Sequence, residues 1–153
     1  AINRNDFNPG ELGIEFFYSI AETVIADQVP VFKQLQSIPS IKRTTKKDLY
    51  KRILKGREMI DASFTSSLSV DMIAKEACMS EYHFFRLFKK VYSVSPHQYI
   101  IAKRLQLGKS LMEQGGISVS EAAAECGFGD IFTFSKAYSN FYGVAPSRIS
   151  FKK

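Results

Sequence analysis

Tryptophan is absent from these 153 residues, and there are only two histidines and two cysteines. Cys78 and Cys126 form no CxxC pair and join no Cys/His cluster, so no zinc site is expected, and two cysteines build no disulfide framework. Each lies in an apolar helical setting, so both are expected to be buried free thiols, as in a reducing cytoplasm. His83 and His97 stand without a nucleophile or metal-ligand partner at motif spacing, so neither an enzyme nor a metal or cofactor is expected. No apolar run approaches bilayer length and none reads as a signal peptide, so no membrane role is expected. No segment alternates apolar and polar residues over any length, which excludes sheets and leaves an all-α fold. The chain opens on Ala1, not Met, as expected of a processed chain or a fragment.

Acidic residues are scarce in one part of the chain only. Residues 1–40 carry two basic residues (Arg4, Lys33) against five acidic ones, a net −3. Residues 41–153 carry nineteen basic against ten acidic, a net +9. Such a concentration attracts phosphate backbones or anionic surfaces, or serves solubility alone. The apolar fraction, 45%, supports a packed core.

Residues 11–28 read as a helix whose apolar face holds Ile14, Phe17, Ala21, Val24 and Ile25. That face is wide enough for dimerisation, although packing onto the rest of the chain would also use it. "SIPSIKRTT", 37–45, reads as a linker, so 1–40, 41–45 and 46–153 are taken as an upstream remnant, a linker and the main domain. Thr45 with Asp48 resembles a capping box opening a helix to about Ala62. Ser69, Ser80, Ser95, Ser118 and Asp130 then stand as caps before five further helical stretches, about 70–77, 81–92, 96–114, 119–126 and 131–142. Gly115-Gly116 stops the longest, and a last short helix is expected near Pro146.

Two of these stretches repeat. At an offset of 49, Ser69, Val70, Ala74 and Glu76 match Ser118, Val119, Ala123 and Glu125. At an offset of 50, Phe84, Tyr92, Val94 and Pro96 match Phe134, Tyr142, Val144 and Pro146, so the second turn is one residue longer. A short helix, a tight turn and a second helix form a helix-turn-helix, whose second helix enters a DNA major groove. In "MSEYHFFRLFKKVYSVSP", Phe84, Phe88 and Val91 share one stripe, and Tyr82, Phe85, Arg86 and Lys89 the opposite one. The second copy puts Phe132, Ser135, Lys136 and Ser139 in those outward slots. Aromatics can pack on thymine methyls, Arg can grip guanine, and Lys, Ser and helix starts can take phosphates. Taken singly, Phe85 and Phe132 would serve a core or an oligomer interface as well. A helix over 96–114 spans about 28 Å, near the roughly 34 Å of one B-DNA turn. One chain could then enter two successive grooves.

"LSVDMIAKEACMSEYHFFRLFKKVYSVSPHQYIIAKRLQLGKSLM" and "ISVSEAAAECGFGDIFTFSKAYSNFYGVAPSRIS" resemble the C-terminal DNA-binding domain of AraC/XylS-type transcription regulators over about 46–150. The resemblance implies seven helices, with two helix-turn-helix units joined by a linker helix. It implies a double-stranded DNA operator, usually with activation through RNA polymerase. It also implies an N-terminal domain, not recognisable in this chain, that would bind a small-molecule effector, with residues 11–36 following it and pairing two protomers. Base contacts are implied for Tyr82, Phe85, Arg86, Ile131, Phe132, Ser135 and Lys136. Phosphate contacts are implied for Ser80, Lys89, Lys90, Ser139 and the helix start at Asp130. Phe85, Ile131 and Phe132 stand where relatives often carry polar residues, and Ser139 and Asn140 replace common lysines. The second unit is therefore expected to be the weaker reader, working by methyl contact and shape. The rival readings are a helical protein-interaction module and an RNA binder that stacks splayed bases.

Overall fold

The computed structural model describes residues 43–148. The helix expected over 11–28, with Ile14, Phe17, Ala21, Val24 and Ile25, lies outside the described residues. Six α-helices follow one another: α1 (Arg43–Ser63), α2 (Val70–Glu76), α3 (Glu81–Tyr92), α4 (Pro96–Gln114), α5 (Val119–Glu125) and α6 (Ile131–Tyr142). The last short helix, expected near Pro146, is a 3-10 helix at Pro146–Arg148. No strand occurs among the described residues, so the fold is all-α.

Local chemistry explains the boundaries. The side chains of Ser69, Ser80, Ser95, Ser118 and Asp130 each accept a hydrogen bond from a first-turn backbone N–H, satisfying a donor that the helix leaves unpaired. Ser118 and Glu121 close a reciprocal capping box, and so do Ser95 and Gln98. Pro96 follows Ser95 at the first helical position, where its missing N–H removes nothing. Thr45 does not open α1: the helix is already formed at Arg43, and Asp48 instead accepts a hydrogen bond at 2.8 Å from Arg52 one turn on. The end of the expected linker is therefore helical.

The helices make two three-helix units, α1–α3 and α4–α6, and the repeat reaches their bonding. Ala77, Cys78 and Met79 donate backbone N–H groups to Ile73, Lys75 and Ala74; Cys126, Gly127 and Phe128 donate to Ala122, Ala124 and Ala123. The middle residue of each turn is left-handed, Cys78 at φ 52° and Gly127 at φ 81°. Cys126 is buried as expected, but Cys78 is exposed, because the turn that bends its backbone also directs its side chain away from the core.

An aromatic ladder runs through the packing of each unit. Phe84–Phe88 and Phe88–Tyr92 ring centroids lie 5.4 and 4.5 Å apart, and Phe134–Tyr138 and Tyr138–Tyr142 lie 5.6 and 4.5 Å apart. Phe84, Phe88, Phe134 and Tyr138 are essentially fully buried. The ladders lie on glycines. A Cβ on Gly56 would sit 2.4 Å from the Phe84 ring, and one on Gly108 would sit 2.8 Å from the Phe134 ring. These glycines extend the repeat upstream at an offset of 52, where Arg52, Ile53, Gly56, Arg57 and Ile60 correspond to Arg104, Leu105, Gly108, Lys109 and Met112. Arg57 lies over the Tyr92 ring at 5.8 Å, and Lys109 lies over the Tyr142 ring at 5.0 Å. Helix α4 is thus both the connecting rod and the first helix of the second unit.

Candidate nucleic-acid interface

Helix α3 separates its residues by face. Phe84, Leu87, Phe88, Val91 and Tyr92 are buried, which turns Tyr82, His83, Phe85, Arg86, Lys89 and Lys90 outward. One exposed apolar residue would be ordinary, but two bare rings share this stripe: Tyr82 is 59% exposed and Phe85 39%. Arg86 and Tyr82 meet one turn apart on the free surface. The guanidinium donates to the Tyr82 hydroxyl at 3.2 Å and lies 5.6 Å from its ring centroid. Its fork is therefore partly oriented before any ligand arrives. Ser80 caps the helix, accepting from the His83 N–H at 3.4 Å, and Glu81 is the helix's only acid against Arg86, Lys89 and Lys90.

In α6, Phe134, Tyr138 and Phe141 are buried. Phe132 is 83% exposed, so it belongs to no core among the described residues. Lys136 is exposed, whereas Ile131, Ser135 and Ser139 are half-buried. The Ser139 backbone carbonyl accepts the N–H of Gly143. Asp130 acts differently from the other residues implied for phosphate. Its Oδ1 accepts the Thr133 N–H at 2.7 Å and its Oδ2 accepts the Thr133 hydroxyl at 2.8 Å. The backbone bond, followed by the hydroxyl bond, holds this carboxyl below its usual range, so it is an anionic cap. An anion repels phosphate, so a phosphate at this helix start would have to approach backbone N–H groups instead of the Asp130 side chain.

The two outward faces occupy equivalent positions with different chemistry. The pairs are Tyr82 with Phe132, Phe85 with Ser135, Arg86 with Lys136, and Lys89 with Ser139. Among the described residues no cluster of His, Cys, Asp or Glu could hold a metal, and no helix is long and apolar enough to cross a membrane.

Sequence reading did not single out the residues that hold the faces in place: Gly56, Gly108, Arg52 and Arg104. Arg52 Nη1 donates to the Cys78 carbonyl at 2.7 Å, and Arg104 Nη1 donates to the Gly127 carbonyl at 2.8 Å. Each arginine thus grips the tight turn of its own unit. The 52-residue offset was the available signal, with only Arg and Gly identical at the positions that matter.

A helix-turn-helix domain family matches residues 73–150, just over half of the chain. A probable transcriptional regulator of Photobacterium leiognathi, LumQ, is 34% identical over 92 residues, covering 60% of this chain and 37% of that protein. The chain spans about a quarter to two fifths of the length of the curated relatives it matches. Among solved structures, an AraC-type DNA-binding regulator from Chromobacterium violaceum aligns with a TM-score of 0.59 at 27% identity, covering 63% of this chain and 87% of the other. The DNA-binding domain of the global transcriptional factor AdpA, solved with a target DNA, aligns with a TM-score of 0.57 at 25% identity, covering 61% and 86%. With both turns, the caps Ser80 and Asp130 of the two outward-facing helices and both ladders inside the matched stretch, the chain belongs to the AraC-type helix-turn-helix family.

Proposed function

We propose that the chain is the DNA-reading part of a transcription regulator, with α3 and α6 entering successive major grooves of one duplex. The observation that carries this reading is the bare aromatic beside a basic residue at the same slot of two duplicated helices, Tyr82 with Arg86 and Phe132 with Lys136. Tyr82, Phe85 and Arg86 are assigned to bases of the first half-site, where a preoriented guanidinium suits the acceptors of guanine. Ser80, Lys89 and Lys90 are assigned to flanking phosphates. Ile131, Phe132, Ser135 and Lys136 are assigned to the second half-site, through thymine methyls and local shape, with Ser139 and the amides following Asp130 on phosphate. Residues 1–40 would join two protomers through Ile14, Phe17, Ala21, Val24 and Ile25. An upstream effector-binding domain and RNA polymerase contact would complete an activator.

Selection of random duplexes by the purified chain at two salt concentrations tests the reading. A bipartite motif with half-sites about one turn apart is expected, with log affinity falling against log salt by about 0.9 per neutralised phosphate. Retention through an apolar surface, indifferent to salt, would refute it in favour of a protein-interaction module.

A further inference from the structure

Arg52 and Arg104 are equivalent, yet they do not make equivalent bonds. Arg52 bonds the carbonyl of its own turn and the Asp48 carboxylate one turn before it. Arg104 bonds its own turn at Gly127 and adds two carbonyls from the other unit. Its Nε donates to Phe64 at 2.6 Å and its Nη2 to Ser66 at 2.7 Å. Phe64 and Ser66 lie in the loop that follows α1. The two segments also touch directly, since a Cβ on Gly127 would fall 2.1 Å from the Thr65 carbonyl oxygen. The guanidinium lies 5.9 Å from the ring centroid of Phe128, next to that turn. A planar fork with donors on three nitrogens suits this task, and an ammonium on a flexible stem does not.

The lower end of α4 has its own attachment. Tyr99 donates to Asp61 Oδ1 at 3.1 Å and Lys103 pairs with the same oxygen at 2.9 Å. That contact fixes α4 on α1. The second unit's turn, which sets the position of α6, meets the first unit at the loop where Arg104 binds.

We infer that Arg104 is a positioning residue that sets the distance and rotation between the two recognition helices, and hence the half-site spacing the protein accepts. This rests on the two-groove reading proposed above. One base pair added or removed between half-sites rotates the second by about 34–36° about the duplex axis. A rigid pair of helices rejects such a change, and a loosened pair tolerates it.

The test is random-duplex selection with the full chain, its Arg104→Ala variant and its Arg104→Lys variant, reading the spacing between the two enriched half-motifs. The wild-type chain is expected to enrich one spacing and to bind duplexes one base pair longer or shorter at least about tenfold more weakly. In both variants this discrimination should fall to about twofold, while affinity for a duplex carrying the first half-motif alone stays within about twofold of wild type. General destabilisation would lower half-site affinity and leave the preferred spacing unchanged. Variants that keep the sharp spacing would overturn the inference, because α4 and its Asp61 attachment would then suffice. A wild-type chain that enriches a single half-motif would overturn the two-groove reading itself, and this inference with it. If Arg104→Ala loses its helical circular dichroism, Arg104→Lys carries the comparison, since it keeps the charge near Phe128 and a single donor nitrogen that cannot span all three carbonyls.

Discussion

Phe132 and Phe134 are two residues apart on one helix, and truncating each should have opposite consequences. Phe134 is fully buried against Phe128 and Tyr138, with ring centroids 5.2 and 5.6 Å away. Phe134→Ala removes the ring that lies on Gly108, and a buried Phe→Ala costs about 3–5 kcal/mol. At roughly 4–8 °C per kcal/mol for a domain of this size, the thermal transition should drop by at least about 12 °C. Phe132 is 83% exposed, so Phe132→Ala removes little packing and gains slightly in helix propensity. Stability should stay within about 0.5 kcal/mol of wild type.

Affinity should move the other way. A Phe side chain presents about 150–250 Å². If a groove covers half of its exposed part, about 80 Å² is buried, worth roughly 2 kcal/mol at about 25 cal/mol per Å². That is about a thirtyfold loss of affinity for the selected duplex, confined to sequences with thymine at the second half-site. Thermal melts by circular dichroism and anisotropy titrations with labelled duplex measure the two effects. A melt lowered by more than about 1 kcal/mol would return Phe132 to a core or an oligomer interface. An unchanged melt with unchanged affinity would remove it from the reading face.

Arg86→Ala should cost about 1–3 kcal/mol on the selected site and relax preference at one position, whereas Lys89→Ala should weaken all duplexes alike and lower the salt slope by about 1. Equal losses on specific and random duplex for both variants would remove Arg86 from base reading. Gly56→Ala and Gly108→Ala should each destabilise by about 1–2 kcal/mol, because overpacking against Phe84 or Phe134 outweighs the helix propensity of alanine. Gly56→Ala should be the worse of the two, since its Cβ would meet the ring at 2.4 Å against 2.8 Å; a raised urea midpoint for either would contradict the contact. The Asp130 carboxyl is held below its ordinary value in the folded chain, so its stabilising bonds are fully present above the unfolded value, about 4, and are lost as pH falls through the lower folded one. Acid titration of thermal stability should show this loss in wild type and show it weakened in Asp130→Asn.

The elements most legible in the sequence were those whose causes are local. A capping serine and its N–H partner are three residues apart, so Ser69, Ser80, Ser95 and Ser118 marked their helices from sequence alone. The repeat marked both turns because a tight turn permits few residues. What escaped depends on distant partners. Gly56 and Gly108 look like weak helix positions until the rings of Phe84 and Phe134 are in place. Arg104 reads as one more basic residue, and its acceptors lie 23, 38 and 40 residues away in sequence. The apolar neighbours of Cys78 suggest burial, whereas its position opposite Gly127 in the repeat points to a left-handed, outward residue, which is what the structure has. For the site, helical spacing identified the outward stripe of α3, but only the packed structure separates bare Phe132 from half-buried Ile131 beside it.

The duplication persists where the chain packs on itself and is only partly kept on the outward faces, in the aromatic and basic slots. Ladder, glycine, turn and caps recur, while Tyr82, Phe85, Arg86 and Lys89 face Phe132, Ser135, Lys136 and Ser139 in the comparison of units. The first unit holds a planar donor fork against a phenolic hydroxyl; the second has a point charge beside a ring with no hydroxyl. If the scaffold presents both faces alike, the difference in reading lies in these side chains alone. Replacing Phe132→Tyr and Lys136→Arg together then puts the first unit's i, i+4 pair on α6, with an aromatic–guanidinium contact worth about 0.5–1 kcal/mol at an exposed site. Random-duplex selection with the double variant should show a new guanine preference in the second half-motif and an unaltered first half-motif. A second half-motif unchanged by the double substitution would mean that α6 does not meet base edges at the angle α3 does, and that the equivalence of the two faces ends at the backbone.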